Sequence, residues 1–159
     1  MSQPPETLCS DLGWLLSRAG HVLTTELTAA MEGLGLSPRG RCVLTTALSG
    51  ELTQIEIART IGLDKTTMVV TLDELEAKGL AERRPSAKDR RARVVVVTKA
   101  GEDMVRRAEE VSRQVQGDVL ATLPARERDA LLKGLKTLVS GRLAEAVQCQ
   151  TPVRRRAAA

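Results

Sequence analysis

The chain has 159 residues, enough for one sizeable hydrophobic core and too few for two independent ones, so a single domain over residues 1–159 is the expectation. Its 24 Lys and Arg stand against 20 Asp and Glu, and the resulting net charge of +4 favours a polyanionic partner. One Trp with no Tyr or Phe excludes an aromatic stacking platform for single strands, and Cys9, Cys42 and Cys149 are too scattered for a disulfide framework or a CxxC zinc site.

The N-terminal residues carry no basic stretch followed by an apolar one, and no run approaches the roughly 18 apolar residues of a membrane span, so a cytoplasmic protein with no membrane partner is expected. From residue 8 to 31, Leu12, Leu15, Leu16, Ala19, Leu23, Leu27, Ala30 and Met31 recur at helical spacing. Gly33 and Gly35 end that helix. Ser37-Pro38 then supplies a cap and a first-turn proline for a second helix bearing Cys42, Val43, Leu44 and Leu48.

Thr53-Gln54-Ile55-Glu56 is a capping box, a reciprocal satisfaction of free backbone donors that marks a helix start. A short helix through Thr60, the turn Ile61-Gly62-Leu63, and a further helix capped by Asp64 form a helix-turn-helix, with Met68, Leu72 and Leu75 facing inward. The period then changes. Leu80-Ala81-Glu82-Arg83-Arg84 and the β-branched run Arg93-Val94-Val95-Val96-Val97-Thr98 read as two strands of a hairpin, broken by Pro85-Ser86, and this hairpin is a wing. Two long amphipathic helices follow, over residues 99–120 and 124–148, and residues 150–159 form a basic tail expected to be disordered.

The fold class is therefore mostly α with a small β-hairpin wing. Residues 37–98 form the winged helix-turn-helix lobe, with the recognition helix at about 64–78 and the wing at about 80–98; residues 8–35 and 99–148 supply dimerisation helices. Those flanking helices hold more apolar surface than so small a lobe can cover, which predicts a homodimer; the alternative is a monomeric bundle that packs these helices on each other.

A helix placed in the major groove presents its N-terminal residues to base edges. Here these are Lys65, Thr66, Thr67, Val69 and Val70, with Thr71 and, from the preceding helix, Gln54 completing the candidate surface. The valines offer only apolar contact of the kind that meets a thymine methyl, so polar readout in the second turn should be weak. In the wing, Lys88, Asp89, Arg90 and Arg91 lie within a stretch where Arg83, Arg84, Lys88, Arg90, Arg91 and Arg93 face Asp89 alone. A lone acid among bases suits an internal brace that orients an arginine toward a narrow minor groove; the opposing reading is a merely solvated loop.

The stretch from residue 52 to 101 resembles the multiple-antibiotic-resistance regulator (MarR) family. The resemblance lies in Leu75-Glu76-Ala77-Lys78-Gly79-Leu80, in Asp89-Arg90-Arg91, and in Val97-Thr98 followed by Gly101, with Val69-Val70 as a departure. It implies a homodimer on a pseudo-palindromic double-stranded operator, and repression relieved by a small molecule or an oxidant. It also implies that Arg91 enters the minor groove and that Asp89 steadies it.

Trp14, Arg18 and His21 emerge on one face of the first helix, an aromatic wall with a cation and a titratable donor that suits an aromatic carboxylate. The alternative is that Trp14 packs at the dimer interface while the other two are solvated. The placement of Cys9 resembles that of the oxidation-sensing cysteine in the organic-peroxide branch of the family, but the tyrosines near the thiol on which that branch relies are missing, so an inert cysteine is the competing reading. A single His, no glycine-rich phosphate loop and no metal-ligand spacing leave no basis for an enzyme, a cofactor or a metal centre. The expected function is thus a sequence-specific DNA-binding transcriptional regulator, a repressor released by an aromatic or phenolic acid. An architectural DNA binder without ligand response, or a thiol-based repressor using Cys9, is the alternative.

Overall fold

The computed structural model describes residues 5–87 and 92–145, which fall into two compact units divided between Val119 and Leu120. In the first unit a short helix α1 (Glu6–Cys9) is followed by α2 (Leu12–Met31), where one continuous helix was expected from residue 8. The break has a local cause. Asp11 takes an extended conformation and its carboxylate accepts the Trp14 backbone N–H at 2.6 Å, which starts a new helix.

A single 3₁₀ turn (Glu32–Leu34) leads to α3 (Pro38–Ala47), capped by Ser37 through the Gly40 N–H at 3.0 Å. The expected capping box then starts α4 (Gln54–Ile61): the Glu56 carboxylate accepts the Thr53 backbone N–H at 2.7 Å while the Thr53 hydroxyl accepts the Glu56 N–H at 3.3 Å. At Gly62 the backbone turns left-handed, φ +71°, so that the Leu63 N–H reaches back to the Ala58 carbonyl at 2.8 Å. That closure makes the turn short enough to stack α4 against α5 (Lys65–Ala77).

Strands β1 (Ala81–Pro85) and β2 (Arg93–Val97) pair antiparallel with Arg83 opposite Val95. A bridge from Thr53 to Val94, and the Val95 N–H donated to the Leu52 carbonyl at 2.9 Å, tie the hairpin to the start of α4. Helix α6 (Lys99–Ala121) follows at once, capped by Thr98, whose hydroxyl accepts the Gly101 N–H at 3.0 Å and donates to the Gly79 carbonyl at 2.7 Å. The core sits among α2, α3, α4, α5 and α6, with Met31, Val43, Leu44, Ile57, Met68 and Leu72 removed from solvent.

The second unit contains α7 (Ala125–Ser140), which begins after Pro124 and ends earlier than the expected boundary at 148. Gly141 takes φ −125° and ψ −110°, leaving helical geometry, and residues 141–145 continue as turns. Leu131, Leu132 and Val139 stay exposed on α7. No helix among the described residues is long and apolar enough to cross a membrane, and they contain no cluster of three or more metal-ligating side chains.

Candidate nucleic-acid interface

Helix α5 starts where Asp64 caps it, its carboxylate accepting the Thr67 N–H at 2.9 Å and the Thr67 hydroxyl at 2.7 Å. These bonds, the hydroxyl first, hold the Asp64 carboxyl below its ordinary value. The cap fixes the orientation of the first turn, in which Lys65 and Thr66 are exposed and Thr67 is half-buried and occupied by the cap. One turn on, Val70 is 53% exposed while Val69 is half-buried. Thr71 lies beneath this face rather than open on it. It is 4% exposed, and its hydroxyl donates to the Thr67 carbonyl at 2.8 Å, because it shares the inward stripe of Met68, Leu72 and Leu75.

Two shallow grooves flank this first turn. One is bounded by Ser37, Arg39, Thr66, Thr67, Val70 and Glu74, with Thr71 beneath them, the other by Ile55, Arg59, Leu63, Lys65 and Met68. Arg39, Arg59 and Lys65 are exposed and make no ion pair among the described residues. Arg39 and Arg59 were not among the candidates from sequence. Neither has a local pattern around it, and only the packing of α3 and α4 on α5 brings them beside the recognition helix.

A third groove, of about 430 Å³, runs between the start of α4 and the hairpin, lined by Thr53, Gln54, Ile55, Arg83 and Arg93. Gln54 is half-buried there, and its Oε1 accepts from Arg83 Nε at 3.4 Å. Arg83 also pairs with Glu76 and, at 2.7 Å, with Asp73, whereas Arg93 is exposed and makes no ion pair among the described residues. The wing-tip candidates Lys88, Asp89, Arg90 and Arg91 lie outside the described residues.

Chemically, this is a surface with cations that make no ion pair among the described residues on both flanks of an exposed, capped helix end, and a basic hairpin beside it. It can meet phosphates with Arg39, Arg59 and Lys65 while Thr66 and Val70 face base edges. On α2, Trp14 is half-buried and Arg18 and His21 are exposed on the same face, next to exposed Leu12, Leu15, Leu16 and Val22. Cys9 is exposed on α1, its thiol directed at the Pro5 carbonyl 3.7 Å away.

A family model described as MarR family matches residues 34–92. Among solved structures, the chain is 30% identical to the transcriptional repressor CouR bound to a 23-mer DNA duplex, covering 87% of this chain and 99% of that one with a TM-score of 0.76. CouR from Rhodococcus jostii RHA1 is also known bound to p-coumaroyl-CoA, at 27% identity over 91% of this chain and 100% of that one, TM-score 0.75. The Mycobacterium tuberculosis MarR family protein Rv2887, in complex with p-aminosalicylic acid, is 32% identical over 81% and 98% of the two chains, TM-score 0.68.

Proposed function

The chain belongs to the MarR family of transcriptional regulators, and from that premise we propose that it is a sequence-specific repressor that binds a pseudo-palindromic duplex as a homodimer and is released by a small aromatic acid. The observation that carries the DNA role is the Asp64-capped start of α5, exposed between two grooves that each hold an arginine making no ion pair among the described residues.

In this role Lys65, Arg39 and Arg59 meet phosphates and set the register of the protein on the duplex. Thr66 and Val70 read base edges in the major groove, with Val69 adding apolar contact and Thr67 serving mainly as the partner of the cap. Thr71, being buried, supports the helix, and Gln54 acts through Arg83 more than on DNA. Arg91 enters the minor groove with Asp89 as its brace, as the family resemblance implies, and Lys88 and Arg90 add to the positive charge of that loop. Arg93, at the loop end of the paired strands, adds a phosphate contact.

The homodimer is supported by the apolar side chains left exposed on α2 and, separately, on α7, which one protomer alone leaves in water. The ligand role rests on the Trp14, Arg18 and His21 face and on the aromatic acids and thioesters seen with relatives. No catalytic role is assigned to any residue.

Selection of bound duplexes from a genomic pool, with and without p-aminosalicylic acid or p-coumaroyl-CoA, tests these points together. Enrichment of an inverted repeat that either compound reduces is the expected result. Failure to enrich any duplex would remove the DNA role, and enrichment that neither compound alters would remove release by these two compounds.

A further inference from the structure

In the amino-acid pattern Arg83 merely adds to the positive balance of the hairpin, but in the fold its side chain is 23% exposed and its contacts are internal. We propose that Arg83 is a positioning residue that fixes the wing against the recognition helix, so that the two can engage one duplex together. The proposal rests on the DNA-binding role above.

Strand β1 alternates its side chains. Glu82 and Arg84 face outward and pair with each other at 2.7 Å, while Arg83 turns the same way as buried Ala81, toward α5. There Asp73 and Glu76, three residues apart on one face of α5, receive it. The guanidinium pairs with Glu76 and reaches Asp73 at 2.7 Å, its Nε donates to Gln54 of α4 at 3.4 Å, and the Arg83 backbone N–H donates to the other Glu76 oxygen at 2.7 Å. Glu76 therefore holds β1 by main chain and side chain at once. A planar fork can serve two carboxylates and an amide in this way; the single ammonium of a lysine cannot hold the same geometry.

Core packing of Ala81 and Val95 holds the base of the hairpin, and polar ties reach further along it. β2 is tied to the start of α4 through Leu52 and Thr53, and Arg83 is a side-chain tie from β1 to α5, beyond the Leu80 N–H that bonds the Leu75 carbonyl at 2.9 Å. In sequence the wing-tip candidates begin five residues beyond Arg83. At about 3.3 Å per strand residue, a small tilt at this anchor grows along the hairpin. Arg83 also neutralises two carboxylates on the recognition helix that would otherwise repel a nearby phosphate.

The test uses the full chain and a duplex selected by the wild type, read by hydroxyl-radical footprinting at saturating protein and by the salt dependence of affinity. For Arg83→Met, loss of the hairpin's minor-groove protections as a block is expected, with the recognition-helix protections kept. The slope of log affinity against log salt should fall by more than the roughly 0.9 of one phosphate contact. A fall of about 0.9 with the hairpin protections intact would make Arg83 a direct phosphate ligand and overturn the proposal. An unchanged footprint in a variant of lower melting temperature would overturn it too, since a residue serving stability alone leaves the saturated complex as it was. Should Arg83→Met fail to fold, Glu76→Gln keeps the arginine and removes one acid: block loss of the hairpin protections is again expected, and tighter binding with a full footprint refutes positioning. A wild type that selects no duplex overturns the DNA-binding role itself and this proposal with it, an outcome distinct from those of the variants.

Discussion

Gly101 sits where the recognition helix, the hairpin and α6 meet, and replacing it with alanine sets two known effects against each other. An added Cβ would lie 2.1 Å from the Leu80 carbonyl oxygen and 2.6 Å from a Val97 methyl, and because the nearer atom is backbone no rotamer change relieves the overlap. The start of α6 must move off the junction, and the bonds that Thr98 makes to Gly79 and Gly101 move with it. Overpacking of this kind costs about 3 kcal/mol, toward the upper end of its usual range, while the helix preference of alanine over glycine returns at most about 1 kcal/mol. The net is a loss of about 2 kcal/mol, or a fall of about 4–8 °C in melting temperature for a chain of this size. Circular dichroism melts at matched protein concentration, needed because a dimer's midpoint depends on concentration, supply the measurement. Gly117 in the same helix is the control: nothing lies within 4 Å of its added Cβ, so Gly117→Ala should stabilise by up to about 1 kcal/mol. If Gly101→Ala melts at or above the wild type, the packing account of this junction is wrong.

Asp64 provides a pH test. Thr67 holds its folded carboxyl below the ordinary 3.8, so its contribution to stability is complete above that value and is lost as pH falls through the lower folded one. Urea midpoints of the wild type should therefore drop more steeply below about pH 4 than those of Asp64→Asn, and parallel curves would show that the cap carries no such linkage. Leu72→Ala empties a fully buried site between the recognition helix and the core and should cost about 2–5 kcal/mol in chemical denaturation; a loss under about 1 kcal/mol would mean that the site collapses freely. Lys65→Ala should lower the salt slope by about 0.9 and weaken all operator variants alike, whereas Arg91→Ala should weaken binding mainly where the minor groove is altered. Base-selective loss in Lys65→Ala would move that residue from phosphate to base contact.

What could be read from the sequence was what is decided within a few residues. The Thr53–Glu56 capping box, the Asp64 cap and the left-handed Gly62 depend on side chains reaching their own backbone, so their spacing alone announces them. The same short-range chemistry separates α1 from α2 at Asp11, but there the apolar spacing of residues 8–31 outweighed the cap signal. Thr71, included from sequence in the candidate surface, falls on the inward stripe and is almost wholly buried, and a hydroxyl that bonds within its own helix tolerates burial. The links from Arg83 to Asp73 and Gln54 cross elements, and those residues are brought together only by packing, so no local pattern could announce them.

The half-buried Trp14 at the start of α2 is the only tryptophan in a chain with no tyrosine or phenylalanine. Its emission therefore reports a single location, free of energy transfer from other aromatic side chains, whereas far-ultraviolet circular dichroism averages over every helix. Following both signals through one denaturation shows whether α2 melts with the DNA-reading lobe or before it, since coincident transitions mark one cooperative unit. The same unmodified fluorophore stands beside Arg18 and His21, so quenching or a spectral shift on adding a small molecule would signal occupancy of that face without any label.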